Sequence, residues 1–268
     1  MKDLSVRQPT SQPRKRNSIR ILPTVVAVGV LLATLFTAWT PEGLFSGSFS
    51  DKLSLILTSQ PDDAAAITTA YPQMRIGIVA GHWGYDDDPG AVCRDGNGDV
   101  TLTEAEVNLR IATIVQQMLM QEGFRVDLLQ EFDQRLDGYN AVALVSIHND
   151  SCQFIDDNAT GFKVSAAMDT RDVNRAMRLT SCLRDRYAAT TGLPFHAGSI
   201  TPDMRDYHTF TEINDNTIAA IIETGFLNLD RDILTNHPEV VADGIVRSIK
   251  CFVNNENIVS TPMPTFAP

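Results

Sequence analysis

Residues 141–149 read Ala-Val-Ala-Leu-Val-Ser-Ile-His-Asn, and residues 219–226 read Ala-Ala-Ile-Ile-Glu-Thr-Gly-Phe. Both are short, apolar and without polar alternation, the pattern of strands covered on both faces in a parallel sheet. Working outward from these two, further strands are expected at 75–81, 124–129 and 161–168, and helices at 104–122, 171–190 and 239–253. Strands alternating with helices predict an α/β fold, a mostly parallel twisted sheet flanked by helices, forming a single catalytic domain. In such sheets active sites collect at the carboxyl ends of the strands. Three of the expected strands end in a chemically capable residue: His82, His148 and Glu223.

The helix at 104–122 has a legible start. Thr103 followed by Glu106 makes a capping box, in which a hydroxyl and a carboxylate each satisfy a free backbone N–H. Val107, Ile111, Ile114, Val115, Met118 and Leu119 then form its apolar stripe. Glu106 therefore has a structural task, and Glu104 is left to turn elsewhere.

The chain has 268 residues and a formal charge of -11, unevenly distributed. Residues 1–20 carry six basic side chains and one acidic, and residues 21–40 carry no charge. The remainder holds sixteen basic against thirty-two acidic side chains. A domain so acidic argues against nucleic acid as a partner, because phosphate binding needs a basic face. The uncharged stretch 21–39 is long enough for a bilayer-spanning helix and follows Arg14, Lys15, Arg16 and Arg20. The organisation expected is a basic cytoplasmic tail (1–20), a transmembrane anchor (21–39), a linker (40–74), a catalytic domain (75–253) and a disordered tail (254–268). A cleaved signal peptide is the alternative for 21–39. Both readings export the domain, the first leaving it on the cell membrane and the second secreting it.

Export places Cys93, Cys152, Cys182 and Cys251 in an oxidising compartment, where an even count can pair in three ways. Cys182 and Cys251 both fall in helical patterns, while Cys93 and Cys152 both follow closely on His82 and His148, so the pairs Cys93–Cys152 and Cys182–Cys251 are expected.

Zinc in hydrolytic sites takes about three protein ligands from His and Asp or Glu and keeps one position open. His82 in Val-Ala-Gly-His-Trp-Gly, Glu104, His148 and the later Glu223 supply residues of that kind. Their order carries a resemblance. The segment from about 75 to 252 resembles the zinc-dependent N-acetylmuramoyl-L-alanine amidases of the amidase 3 type. The motifs are Gly81-His82-Trp83-Gly84 leading to Gly90-Ala91, then Glu104 through Asn108-Leu109, then Ser146-Ile147-His148-Asn149, and last Glu223, Gly225, Phe226, Leu227 and Asn228. The resemblance implies that His82, Glu104 and His148 hold one zinc ion, that Glu223 is the catalytic carboxylate, and that the substrate is the amide between N-acetylmuramic acid and L-alanine in peptidoglycan. The chain departs from that pattern before His82, where Val79-Ala80 replaces Asp-Pro, and after it, where Trp83 replaces Gly. Trp83 is expected either to stack on a sugar at the cleft mouth or to pack. The acidic run Asp86-Asp87-Asp88 is expected to be a solvated loop.

A second metal is suggested by Asp95, Asn97, Asp99 and Glu106, with a backbone contribution from Thr101, which match a calcium-loop template except that Val100 stands where Gly belongs. His196, His208 and Arg205 fall on the stretch 193–209, which is expected to line the cleft or to be a mobile surface loop, and His237 reads as a helix-start residue. Two other functions remain compatible with the sequence: a non-catalytic peptidoglycan-binding module on the same fold, and a zinc peptidase or amidohydrolase with another substrate. The chain is expected to act as a monomer.

Overall fold

The computed structural model describes residues 74–84, 88–168 and 170–258. The anchor expected at 21–39 and most of the linker lie outside them. Among the described residues no helix is long and apolar enough to cross a membrane.

Among the described residues there are seven strands: β1 Arg75–Ala80, β2 Val92–Arg94, β3 Val100–Thr103, β4 Arg125–Gln130, β5 Ala143–Asp150, β6 Lys163–Ala166 and β7 Ile218–Phe226. The helices are α1 Glu104–Gln121, α2 Val173–Thr191, α3 Pro202–Arg205, α4 Thr209–Glu212, α5 Arg231–Asn236 and α6 Pro238–Val253. The main sheet has the order β4-β1-β5-β7-β6, with β4, β1, β5 and β7 parallel and β6 antiparallel on one edge. The two apolar runs that open the sequence reading are therefore adjacent central strands. All five expected strands and three expected helices are found. The antiparallel β2–β3 hairpin and the short helices α3, α4 and α5 lack a long periodic pattern and were not expected.

Strand periodicity divides the core in two. Ile76, Ile78, Ala143, Val145, Ile147, Ala220 and Ile222 face a thick layer built from α1, α2 and α6. Val79, Leu144, Ala219 and Ile221 face a thinner cover made of Met204, Tyr207, Phe210 and Ile213 around α3 and α4. Because side chains alternate faces along a strand, Ser146 and His148 share the thin face with Leu144, and Glu223 shares it with Ala219 and Ile221. The helical cover is thus uneven, and the chemically capable residues sit on the side that long helices do not cover.

Local chemistry fixes the element ends. Thr103 and Glu106 form the expected capping box at α1, Asp172 caps α2, and Gly192 ends α2 in the left-handed region at φ 74°. His237 is the residue before α6, as expected, with Pro238 in its first turn. The tail expected from 254 begins instead as ordered structure. The Glu256 N–H donates to the Cys251 carbonyl at 3.0 Å, and Arg186 on α2 reaches the Glu256 carboxylate at 3.1 Å and the Asn257 carbonyl at 3.0 Å. Residues 259–268 lie outside the described residues.

Both expected disulfides are present, with Cα separations of 5.2 Å for Cys93–Cys152 and 5.8 Å for Cys182–Cys251. The first ties the hairpin to the segment that follows β5, and the second ties α2 to α6. Replacing Cys182 and Cys251 together by Ala removes a cross-link spanning 69 residues, and the expected loss is roughly 2–4 kcal/mol of unfolding free energy. Denaturant midpoints of the oxidised parent and the double variant measure it.

Candidate active site

At the carboxyl ends of three neighbouring strands, β1, β5 and β7, lie His82, His148 and Glu223. His148 and Glu223 are directly paired in the β5–β7 register. Glu104, the first residue of α1, swings in from the end of the hairpin. It is almost fully buried at 5% exposure, which for a carboxylate requires dense compensation. Its Oε1 lies 3.3 Å from His82 Nε2 and 3.3 Å from His148 Nδ1. The same oxygen accepts from the Asn149 N–H at 3.1 Å and from Asn108 Nδ2 at 3.2 Å, while Oε2 accepts from the Ala91 N–H at 2.9 Å.

His82, Glu104 and His148 each offer one donor atom, and these atoms lie within 4.8 Å of one another. Two imidazole nitrogens and one carboxylate oxygen form a donor set that suits a divalent transition metal with an open coordination position. Asp95, Asp99 and Glu106 belong to no such group among the described residues. Asp95 Oδ1 is engaged by the N–H groups of Asn97 at 2.8 Å and Asp99 at 3.0 Å, closing the hairpin turn. Glu106 is taken by the capping box.

The glycines of the site make room for it. A Cβ on Gly81 would fall 2.3 Å from the His148 ring, and one on Gly90, where φ is +66°, would fall 2.6 Å from Glu104 Oε2. His82 itself holds a left-handed φ of 61°, an unusual conformation for a residue with a Cβ. Its N–H is secured by the Glu131 carboxylate.

A polar layer surrounds the three candidate ligands. Asp88 accepts from His82 Nδ1 at 2.8 Å and from the Gly90 N–H at 3.0 Å. The expectation that this acidic run is only a solvated loop is thereby corrected at Asp88; Asp86 and Asp87 lie outside the described residues. Asn108 donates to the Gly81 carbonyl at 3.0 Å and receives Asn149 Nδ2 at 2.7 Å. Thr224 in turn donates to the Asn149 side chain. Glu131, just past β4 and buried, has no counterpart among the sequence expectations. Its Oε1 accepts from Tyr207 Oη at 3.0 Å and lies 3.2 Å from His208 Nε2, and its Oε2 stands 3.8 Å from His148 Nε2. No spacing rule in the sequence links Glu131 to residues 76 or more positions away.

The electrostatics follow from this packing. Burial works against charge on His82, but the hydrogen bonds and negative charge of Glu104, with Asp88 and Glu131, outweigh it and raise the imidazole to about 10. His148 is raised in the same way against its own burial. Glu104 would be raised by burial, but hydrogen bonds from His148 and His82 hold it well below the usual carboxylate range. Glu131 likewise overcomes its burial, through His208 and His148, and is held at about 2. Glu223 behaves oppositely: burial dominates and pushes it up to about 7. Part of Glu223 reaches solvent, yet its Oε2 is shielded and without a hydrogen-bond partner. A buried carboxylate oxygen without a protein partner is uncommon outside catalytic or ligand-binding positions.

The other sequence candidates fall around this centre. Trp83 is partly buried and packs against the core. His208 joins Glu131 to Glu212, with its Nδ1 2.9 Å from the Glu212 carboxylate. His196 bonds Ser199 at 2.6 Å and meets the Phe226 ring edge-on. Arg205 and His237 are exposed. Residues 193–209 therefore contribute Tyr207 and His208 to the layer around the site.

Comparison with known proteins places this geometry. A family model described as N-acetylmuramoyl-L-alanine amidase matches residues 76–251. A comparison with curated protein sequences returned no match. Among solved structures, the chain is similar to the CwlD amidase from Clostridioides difficile in complex with the GerS lipoprotein, at 20% identity and a TM-score of 0.53 over 68% of this chain and 99% of that one. It is also similar to the catalytic domain of CwlV, an N-acetylmuramoyl-L-alanine amidase from Bacillus (Paenibacillus) polymyxa var. colistinus, at 23% identity and a TM-score of 0.53 over 68% and 98% of the two chains. A third is an N-acetylmuramoyl-L-alanine amidase from Clostridium difficile 630, at 19% identity and 0.54 over 69% and 99%. Identities this low speak for the fold, whereas the family model spans most of the described domain and includes all four residues of the centre. The chain belongs to the N-acetylmuramoyl-L-alanine amidase family.

Proposed function

We propose that this enzyme hydrolyses the amide between N-acetylmuramic acid and L-alanine in peptidoglycan, with one zinc ion held by His82, Glu104 and His148 and with Glu223 as the catalytic carboxylate. The observation that carries the reading is the convergence of the three donors beside a buried carboxylate with a free oxygen. Zinc bound there would supply Lewis-acid polarisation of the scissile carbonyl and a more acidic water.

The chain's own residues do the rest. Asp88 and the layer behind His148 hold the two imidazoles, and Asn108 and Asn149 hold Glu104. Glu223 lies directly opposite His148 on the neighbouring strand. Its burial favours holding a proton, and it can take one from the attacking water and return it to the departing alanyl nitrogen, which leaves poorly unless protonated. Lys163, paired with Asp150 and opposite Glu223 in the β6–β7 register, adds positive charge nearby. A binding module would have no use for a carboxylate poised in this way, and the family model favours the muramoyl amide over other amides. We further propose that residues 21–39 anchor the domain to the outer side of the cell membrane and that it acts as a monomer, the anchor keeping it near its polymeric substrate.

Glu223→Gln preserves shape and removes the base. The expected result is unchanged zinc content with turnover lowered by about 10²–10⁴-fold, read as amino groups released from purified peptidoglycan by residues 41–268. Parent-like turnover would remove Glu223 from the mechanism. The pH profile is a second check. Glu223 must be ionised to act as base, so kcat/KM rises with pH through its pKa. The positive charge of Lys163 lowers that pKa, so Lys163→Met is expected to move the acidic limb to higher pH. Deleting residues 1–40 is expected to leave cleavage of soluble fragments intact and to reduce wall cleavage in cells; equal cellular activity would argue against the anchor.

A further inference from the structure

We propose that Glu131 is a positioning residue which, acting through Tyr207, dictates that His148 presents Nδ1 to the metal; the inference rests on the three-ligand reading above. It follows from donor and acceptor bookkeeping. An ionised carboxylate can only accept hydrogen bonds. Glu131 accepts at one oxygen from the His82 N–H and at the other from Tyr207 Oη at 3.0 Å, beside His208 Nε2 at 3.2 Å. The phenolic proton of Tyr207 is therefore committed to Glu131.

The Tyr207 oxygen is then left with acceptor capacity alone. It receives the Ser146 hydroxyl at 2.9 Å and faces His148 Nε2 at 3.4 Å. Only a protonated Nε2 satisfies that contact, and Glu131 Oε2, 3.8 Å from the same nitrogen, reinforces the choice electrostatically. A neutral imidazole protonated at Nε2 has its lone pair on Nδ1, which is the nitrogen 3.3 Å from Glu104. Asp88 does the corresponding work directly for His82. It binds Nδ1 at 2.8 Å, so Nε2 is the nitrogen left for the cluster. Outer partners of this kind fix ring orientation and tautomer at metal sites. Glu131 stands apart in serving both histidines at once, one through its backbone and the other through its ring.

The decisive variant is Glu131→Gln, which keeps the shape but offers an amide N–H₂ toward Tyr207. That donor frees the phenolic proton to point at His148 Nε2 and drives the imidazole proton to Nδ1, against the metal. Zinc affinity is measured by chelator competition on residues 41–268, and magnetic resonance of isotope-labelled histidine nitrogens in the zinc-loaded protein reads which nitrogen carries hydrogen. The expected result is a parent with hydrogen on His148 Nε2 and an affinity loss in Glu131→Gln of about 10–100-fold. Tyr207→Phe, which keeps the ring and deletes the relay, is expected to weaken zinc binding in the same direction, and it serves if Glu131→Gln does not fold. A parent that holds zinc with hydrogen on His148 Nδ1, or variants within about threefold of the parent, overturns the role of Glu131 alone. A parent that fails to hold zinc overturns the three-ligand reading along with it.

Discussion

A single buried carboxylate organises the catalytic end of this domain. Glu104 is nearly inaccessible to water, and an ionised group in that position is tolerated only when every lone pair is answered. Two histidines, the Asn108 side chain and the backbone N–H groups of Asn149 and Ala91 answer it. Each of those requirements reaches back into the chain. The Ala91 N–H is available because Gly90 turns where a Cβ would strike Glu104. Glu104 can point inward because Glu106, two residues on, takes the capping role at the start of α1. The hairpin that delivers both is fastened to the segment after β5 by Cys93–Cys152.

The uneven cover of the sheet explains why the site opens where it does. Long helices with continuous apolar stripes bury one face completely, and the other is closed by short helices and loops around Tyr207 and Phe210. Period-two alternation then sends Ser146, His148 and Glu223 to that second face. In a parallel sheet these strand ends lie side by side, about 4.8 Å apart, so His148 and Glu223 meet with no intervening loop to position them.

The sheet is legible in the sequence because it is written in local patterns, whereas the four candidate residues stand out only through their resemblance to the ordered motifs of the amidase 3 family. Residues 141–149 announce a central strand by composition, and Thr103 with Glu106 announces a helix start by spacing. The disulfide pairs could be anticipated from where each cysteine falls in the predicted elements. The surrounding polar layer could not. Glu131 follows an ordinary strand, Tyr207 lies on an irregular segment between two short helices, and Asp88 hides in an acidic run that resembles a solvated loop. The significance of Glu131 and Tyr207 comes from contacts across 49 to 77 residues, and that of Asp88 from its bond to His82 within a turn that no periodic pattern marks. The hairpin is hidden for a related reason: its strands are three and four residues long, and the Asp95–Asp99 turn between them also fits a cation-loop template.

Charge balance ties the candidate site to its proposed chemistry. Glu104, Glu131 and Asp88 surround two imidazoles, and Glu223 stands alongside. If both rings were neutral and no cation were present, several negative charges would share a small, poorly hydrated volume, an arrangement whose cost grows as the local dielectric falls. Glu104 and the neighbouring carboxylates raise the proton affinities of His82 and His148 against their burial. Two protons carry the same charge as one divalent cation, so the cluster can be neutralised in either way, and metal binding must displace the protons that would otherwise occupy the donor nitrogens. The carboxylates behind the histidines therefore act in two opposed directions. By stabilising imidazolium they would compete with a bound cation, and by fixing each tautomer they would aim a lone pair at it. Their place on the outer nitrogens would resolve the conflict: with the inner proton displaced, the outer N–H bond would persist and make the imidazole a better donor.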